Sequence, residues 1–234
     1  MKSLGIYNMI YRWRIVLSLL FTFQFLLFIS SCTTDAYDKG EGEYSLMRGD
    51  FVEAQVNAGK QVVSIMTDDG DRLSLAEPYT AKWIAKADTF YRCMLYYNKV
   101  EDHHGSTIAD VISMWQVPCP RVMPLKEFDK ELKTDPVKFE SMWVSRSGKY
   151  LNMSLILKTG STDDSTAVHQ LAVVCDTVIC KSMFIRLHHD QGGVPEYYST
   201  NAYISIPASQ LPADTINITL NTYDGLVQKR IVLK

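Results

Sequence analysis

The 234-residue sequence lacks the short motifs that usually mark a catalytic site. It contains no Gly-x-Ser-x-Gly elbow, no His-Glu-x-x-His helix and no glycine-rich phosphate loop. No two cysteines have the two-residue spacing of a structural zinc site, and no histidine is placed as their partner. These absences favour a protein that is not an enzyme and that holds neither a metal nor another cofactor. A hydrolase with an unrecognised site stays open as the alternative.

Helical periodicity and basic charge are also scarce. The body of the chain has no amphipathic helix of convincing length, and Tyr44 to Val117 holds seven Lys and Arg against ten Asp and Glu. A nucleic-acid groove needs a basic surface, so nucleic acid is excluded as a partner. Five aromatic residues here are expected mostly in the core, with a minority facing outward as a carbohydrate or peptide surface: Trp83, Phe90, Tyr91, Tyr96 and Tyr97.

One apolar run stands apart at the N-terminus. Arg12 and Arg14 precede an uncharged stretch at 15–29, which ends in Ile-Ser-Ser-Cys32. A helix needs ~20 residues to cross the hydrocarbon core, so this run is too short for a permanent span. The layout predicts a signal peptide over residues 1–31, starting from Met1 or Met9.

The cysteine after Ile-Ser-Ser resembles the lipobox that signal peptidase II cleaves. The resemblance implies that Cys32 becomes the first mature residue and carries acyl chains, each buried methylene adding ~0.8 kcal/mol of membrane affinity. In lipoprotein sorting, an aspartate directly after the cysteine commonly retains a protein at the inner membrane. The residue at that position is Thr33, which by this resemblance favours the outer membrane. The sequence leaves open whether the protein faces the periplasm or the cell surface. An ordinary secretory cleavage is the alternative. Residues 32–45 are rich in Asp, Glu and Gly and predict a flexible tether.

Cleavage changes the charge of the chain. It removes Lys2, Arg12 and Arg14 from the 24 basic residues and nothing from the 26 acidic ones, which leaves 21 against 26 and a net charge near −5. About 200 residues remain, a length that suits one large or two small domains.

Period-two alternation predicts five strands in the first half of the mature chain. The turns between them contain Ala58-Gly59, Asp68-Asp69-Gly70 and His103-His104-Gly105. This pattern predicts a small barrel over residues 46–122. The predicted strands are 50–57, 60–67, 72–75, 89–100 and 107–117.

A proline-rich break separates the two halves of the chain. Pro118, Pro120 and Pro124 are followed by a charged stretch that ends at Asp135-Pro136, so we predict a linker over 123–138 with a short helical turn in 126–132. Seven strands then predict a β-sandwich over 139–234, with Trp143 as a core anchor. These strands are 139–146, 149–158, 167–175, 182–189, 201–207, 215–222 and 226–233.

Together these features resemble the NigD-like lipoproteins of the Bacteroides group. The resemblance is carried by Cys32, the five-strand segment, the run from Trp143 to Leu157 and the strand end Phe-Ile-Arg-Leu-His-His-Asp at 184–190. It implies an all-β chain with an N-terminal OB-fold barrel and a C-terminal immunoglobulin-like sandwich. It also implies a bacteriocin-associated accessory or immunity role, and Cys32 is the one functional residue that it transfers.

Four cysteines remain after Cys32, and an even number in an exported chain permits two disulfides in any of three connectivities. Four thiols are the equal alternative, because cysteine is at home in apolar runs. The residues concerned are Cys93, Cys119, Cys175 and Cys180.

Three polar clusters are predicted to be turns or strand ends rather than ligand sites. His188-His189-Asp190 is unsuited to one metal ion because adjacent strand residues face opposite ways. His103-His104 lies in a similar turn, and Asp68-Asp69-Gly70-Asp71 lacks the remaining ligands of a calcium loop.

Three Asp-Ser/Thr pairs look like O-glycosylation sites of the same bacterial group, at Ser165, Thr177 and Thr215, the first and third in expected loops. The sequence as a whole predicts a lipid-anchored envelope protein. It would act as a non-catalytic binding or interaction module for a protein, peptide or glycan.

Overall fold

The computed structural model describes residue 13, residue 42 and residues 44–233. Cys32 therefore lies outside the described residues. The predicted signal peptide also lies outside them apart from residue 13, and the predicted tether apart from residues 42, 44 and 45. Within the described part, no helix has the length and apolar character to cross a membrane.

Five strands form a closed barrel in the order β1-β2-β3-β5-β4. The β3 and β5 strands pair in parallel, and the other pairs are antiparallel. The predicted five-stranded OB-like barrel is confirmed. Its strands are β1 (Arg48–Val56), β2 (Val62–Thr67), β3 (Arg72–Tyr79), β4 (Thr89–Glu101) and β5 (Thr107–Gln116).

Period-two alternation decides which side chains fill the barrel. Along β1, Val52, Ala54 and Val56 are buried in the barrel core, while Glu53 and Gln55 point outward. Strand β4 repeats this pattern, with its inward residues Cys93, Leu95 and Tyr97 wholly buried. The outward residues of the two strands are therefore available for other contacts.

The second half of the chain is a β-sandwich, as predicted. One sheet has the order β13-β12-β10-β9-β6 and the other β11-β8-β7. Their apolar faces enclose a core that includes Leu155, Ile185, Ile204 and Ile218. The strands are β6 (Val122–Pro124), β7 (Lys138–Val144), β8 (Tyr150–Thr159), β9 (Gln170–Ile179), β10 (Ser182–Asp190), β11 (Tyr198–Pro207), β12 (Thr215–Thr222) and β13 (Gly225–Val232).

The segment between barrel and sandwich is fixed to the sandwich at several points. Strand β6 pairs in parallel with β9, and Thr134 and Val137 form isolated bridges to His189 and Thr222. The helical turn predicted at 126–132 is a single 3-10 turn, Leu125–Glu127. The limits at 122 and 138 stay predictions, although β6 begins to pair with the sandwich at Val122.

Trp143 does not anchor the sandwich core, so that prediction is wrong. Its neighbours Met142 and Val144 pack against the core, and alternation along β7 directs Trp143 between them to the other face. There its ring meets Phe51 of the barrel edge-on, with centroids 5.6 Å apart. Phe51 in turn makes an edge contact with Tyr203 of β11 at 5.4 Å. The tryptophan therefore joins barrel to sandwich.

The centre of this contact is a buried guanidinium. The Arg92 side chain on β4 is 1% exposed and makes a two-pronged ion pair with Asp68, at 2.7 and 2.6 Å. Its remaining donors reach the sandwich, where Nη2 donates to Asn152 Oδ1 at 3.2 Å and Nε to Ser205 Oγ at 3.3 Å. The Arg92 Cζ lies 4.1 Å from the centroid of the Tyr150 ring, which is a cation–π geometry. One barrel arginine is thus held by both halves of the chain.

Polar contacts surround this centre. The Glu53 carboxylate accepts from Lys149 Nζ at 2.7 Å and from the Tyr150 hydroxyl at 3.0 Å. Burial, and then the hydrogen bond to Glu53, raise the pKa of Tyr150, so its hydroxyl stays a donor. Arg146 pairs with Asp69 at 3.3 Å, where both side chains are largely exposed.

Replacement of Arg92 by leucine is expected to destabilise the fold strongly. The change leaves Asp68, Asn152 and Ser205 without their shared donor, and loss of one member of a buried pair costs about 3 kcal/mol or more. Urea unfolding followed by circular dichroism measures the effect. Arg146→Ala is the matched control, because an exposed ion pair contributes little. An Arg92→Leu midpoint equal to that of the control contradicts the assigned role.

Candidate binding face on the barrel

Strand register places one aromatic and three small polar side chains in a row across the outside of the barrel. Phe90 on β4 lies opposite Gln55 on β1, Gln55 opposite Ser64 on β2, and Ser64 opposite Ser74 on β3. Side chains of directly opposed residues share a face. Four strands at about 4.8 Å spacing make a row roughly 14 Å long. We call these four residues the Phe90 row.

A second row runs beside it. Glu53 lies opposite Met66 and Met66 opposite Arg72, while the β4 partner of Glu53 is the buried Arg92. The sandwich therefore covers the β4 end of this second row and leaves the Phe90 row uncovered.

A cavity of about 500 Å³ lies over the two rows, with Lys149 of the sandwich on its wall. Phe90 also borders a second hollow of about 570 Å³, whose lining includes Trp83, Gln116 and Tyr150. The Phe90 side chain stands between the two hollows and is 64% exposed. We call the two rows and the cavity above them the Phe90 face.

The Phe90 face is polar but has little unpaired charge. Ser64 Oγ donates to Gln55 Oε1 at 2.9 Å, which leaves the amide N–H groups of Gln55 and the lone pairs of Ser64 for a ligand. Glu53 is already paired with Lys149. Arg72 makes no salt bridge among the described residues. It therefore supplies an unpaired cation at the β3 end of the face.

The other aromatics predicted as core or platform residues are less available. Tyr97 is wholly buried in the barrel core. Trp83 and Tyr91 pack edge-on at 5.5 Å, and Tyr96 packs on Trp115 at 5.4 Å. The expected minority facing outward is therefore represented by Phe90, because its position on β4 directs it away from the core.

The Asp68-Asp69-Gly70 turn joins β2 to β3, as predicted, and the His103-His104 turn joins β4 to β5. Sequence reasoning missed that Asp68 is the partner of Arg92. The one available signal was a lone arginine inside the apolar β4 run, which needs a carboxylate if it is buried.

His188 and His189 lie at the end of β10 and face opposite ways, as predicted, but both are buried. His188 Nδ1 accepts from the Lys133 N–H at 3.1 Å. His189 Nδ1 lies 3.0 Å from the Asp135 carbonyl oxygen, and its Nε2 lies 3.0 Å from His169 Nδ1. In the described residues, no group of three His, Cys, Asp or Glu side chains is arranged to hold a metal.

These contacts define the protonation of the histidine pair. A carbonyl can only accept, so a proton on His189 Nδ1 satisfies the Asp135 contact, and in that neutral tautomer His189 Nε2 accepts from His169 Nδ1. Among the residues that the structure describes, the other nitrogen of His169 is buried and no group hydrogen-bonds to it. Burial, and then repulsion by His189, lower the pKa of His169, and burial also lowers the pKa of His188. Sequence reasoning missed His169, which lies 20 residues from its partner.

All four cysteines of the described residues are free thiols, so the structure has neither of the two disulfides left open by the sequence. Cys93 is wholly buried in the barrel, and burial raises the pKa of its thiol to about 12. Cys175 is half-buried, whereas Cys119 and Cys180 are exposed.

The three predicted O-glycosylation sites differ in access. Ser165 is exposed in the loop between β8 and β9, and Thr177 is exposed on β9. Thr215 begins β12 and is 9% exposed. It therefore lies in a strand rather than in the expected loop, because its backbone already pairs with Val232 of β13.

The second half of the chain matches a known family. The family described as NigD-like C-terminal beta sandwich domain matches residues 121–233. The C-terminal sandwich is similar to this family, and we call it the NigD-like domain. The resemblance seen in the sequence is thereby confirmed, and the NigD-like domain includes β6 and the segment after it.

Solved structures share the fold of barrel plus NigD-like domain. A NigD-like immunity protein from Bacteroides caccae is 23% identical, with a TM-score of 0.63, over 79% of this chain and 96% of its own. A candidate lipoprotein from Bacteroides fragilis is 13% identical, with a TM-score of 0.60, over 80% of this chain and 98% of its own. At these identities the likeness shows the fold alone. None of the curated proteins matches the chain.

Acid is expected to destabilise the NigD-like domain through its histidines. His169 and His188 have a lower pKa when folded than the ordinary 6.5, so the unfolded chain binds protons more readily. The free energy of unfolding is therefore unaffected by these two histidines above pH 6.5, and it falls as the pH drops below that value. Urea midpoints measured across this range test the effect. His169→Gln should flatten the dependence, and an unchanged slope contradicts the assignment.

Proposed function

We propose that this chain is a lipid-anchored envelope protein that acts by binding a ligand rather than by transforming it. The lipobox-like cysteine of the sequence supports the anchor, as does the fold shared with the Bacteroides fragilis candidate lipoprotein. Thr33 after Cys32 supports the outer membrane as the destination.

Replacement of Cys32 by serine is expected to release the protein from the membrane fraction. The change removes the thiol that would carry acyl chains, and stable anchoring needs more than one such chain. Fractionation of cells, with protease shaving of intact cells, measures both anchoring and the face exposed. Cys180→Ser is the matched control. A Cys32→Ser protein that stays in the membrane fraction contradicts the anchor.

The Phe90 face is the observation that carries the binding role. An aromatic side chain left 64% exposed between two hollows, in a row of neutral polar groups, suits an extended ligand. Ligand sites combine apolar or aromatic surface with a few placed polar groups. The Phe90 face has both, and because the barrel is closed, each strand that carries it is paired on both sides.

A second candidate function is protein capture in an immunity-like role. The name of the Bacteroides caccae protein suggests it, and a separate surface of the sandwich favours it. Tyr197, Tyr198 and Tyr223 are all exposed where β11 begins and β12 ends. The Tyr197 N–H donates to the Thr159 carbonyl oxygen at 2.9 Å, and Lys158 Nζ lies 6.0 Å from the centroid of the Tyr223 ring. Tyr197 and Tyr223 therefore both flank the end of β8.

The three tyrosines lie at the opposite end of β8 and β11 from the barrel contacts, which are made by residues 143–152 and 203–205. Tyrosine offers a large amphipathic contact area at low entropy cost, which suits protein recognition. Four exposed carboxylates in the adjoining loops and turns make a basic partner the natural one: Asp163, Asp164, Glu196 and Asp224.

A photo-crosslinking amino acid at position 90 is expected to capture the native ligand in cells. Phe90 tolerates replacement by the benzoyl-phenylalanine probe because it is exposed. The same probe at Phe184, which is exposed on the outer face of β10, is the control, and the probe at Tyr197 tests protein capture. Adducts are detected by gel shift, and mass spectrometry then identifies the attached group as protein or glycan. No adduct at 90 beyond that at 184 overturns the proposed role of the Phe90 face.

A further inference from the structure

We infer that the ligand of the Phe90 face is an uncharged oligosaccharide, a short run of linked sugar rings lying along the Phe90 row. The inference rests on the proposed binding function and names the ligand class. Sugars present apolar C–H faces and a rim of hydroxyls, and the row offers a complement to each.

Phe90 supplies the complement to the C–H face. An aromatic ring carries negative potential on its faces, so it attracts the weakly positive C–H groups of a sugar as well as excluding water from them. Because Phe90 stands between two hollows, a chain of rings can cross it and continue on both sides.

Gln55, Ser64 and Ser74 supply the complement to the hydroxyls. A sugar hydroxyl both donates and accepts, and these amide and hydroxyl groups do the same. The hydrogen bond from Ser64 to Gln55 fixes their orientation before a ligand arrives. Pre-ordered polar groups lower the entropy lost on binding. The row itself contains no charged side chain, which favours an uncharged chain of sugars.

Other ligand classes fit this surface less well. Nucleic acid needs a basic groove, whereas the Phe90 row is uncharged and one of the two cations beside it, Lys149, is paired with Glu53. A peptide that adds a strand needs a free sheet edge, and the barrel is closed. A purely apolar molecule would leave the amide of Gln55 without a partner.

Calorimetric titration of the full mature chain carrying Cys32→Ser tests the inference. The probes are soluble neutral polysaccharides, namely xylan, mannan, mixed-linkage glucan and dextran, and two anionic ones, polygalacturonate and chondroitin sulfate. We expect at least one neutral polymer to bind, with an affinity insensitive to salt. Phe90→Ala should weaken it by about tenfold, the order of an aromatic contact. Phe90→Trp should retain it, and Phe184→Ala should leave it unchanged.

Three outcomes overturn the oligosaccharide assignment: no neutral polymer binds, only anionic polymers bind and salt releases them, or Phe90→Ala binds as the unaltered chain does. The crosslinking at position 90 separates this failure from that of the proposed function. An adduct at 90 whose attached group is protein, without polysaccharide binding, keeps the Phe90 face as a ligand site but removes the sugar assignment. Absence of both removes the site itself.

Discussion

A charged guanidinium that is almost fully removed from water constrains the arrangement of this molecule. Arg92 points outward from the barrel, so it can be buried only if something covers the barrel wall there. The sandwich provides that cover, and Asn152, Ser205 and the ring of Tyr150 provide the contacts that an arginine out of water needs. Burial of this side chain therefore constrains how barrel and sandwich meet, and the Phe51 and Glu53 contacts surround it.

The candidate site depends on the same constraint. Phe90 lies two residues before Arg92, so strand geometry gives both the same outward direction. The sandwich covers Arg92 and stops short of Phe90, and Lys149 at its margin becomes a wall of the cavity. The Phe90 face therefore lies at the border of an internal contact. Such a border combines rigid backbone with exposed side chains, which is the combination a binding site needs.

Local patterns in the sequence predicted most of the fold. Alternation and turn residues located the barrel strands and the seven main sandwich strands to within a few residues, because both signals act between neighbours in the chain. Contacts between distant residues were not predictable in this way. The Asp68–Arg92 pair, the His169–His189 pair and the Phe51–Trp143 contact all join separate elements. Phe90 was recognised as an aromatic candidate, but only strand register showed that Gln55, Ser64 and Ser74 lie beside it.

The short strand β6 has a further consequence for how copies of this chain would meet. A sheet edge offers unpaired backbone groups to which another chain can add. On the β9 side of the larger sheet that edge is occupied by three residues, the last of them Pro124, which has no N–H to offer. Copies concentrated in two dimensions by the proposed lipid anchor would encounter one another often. At this edge, β6 would offer an approaching strand few backbone groups with which to pair.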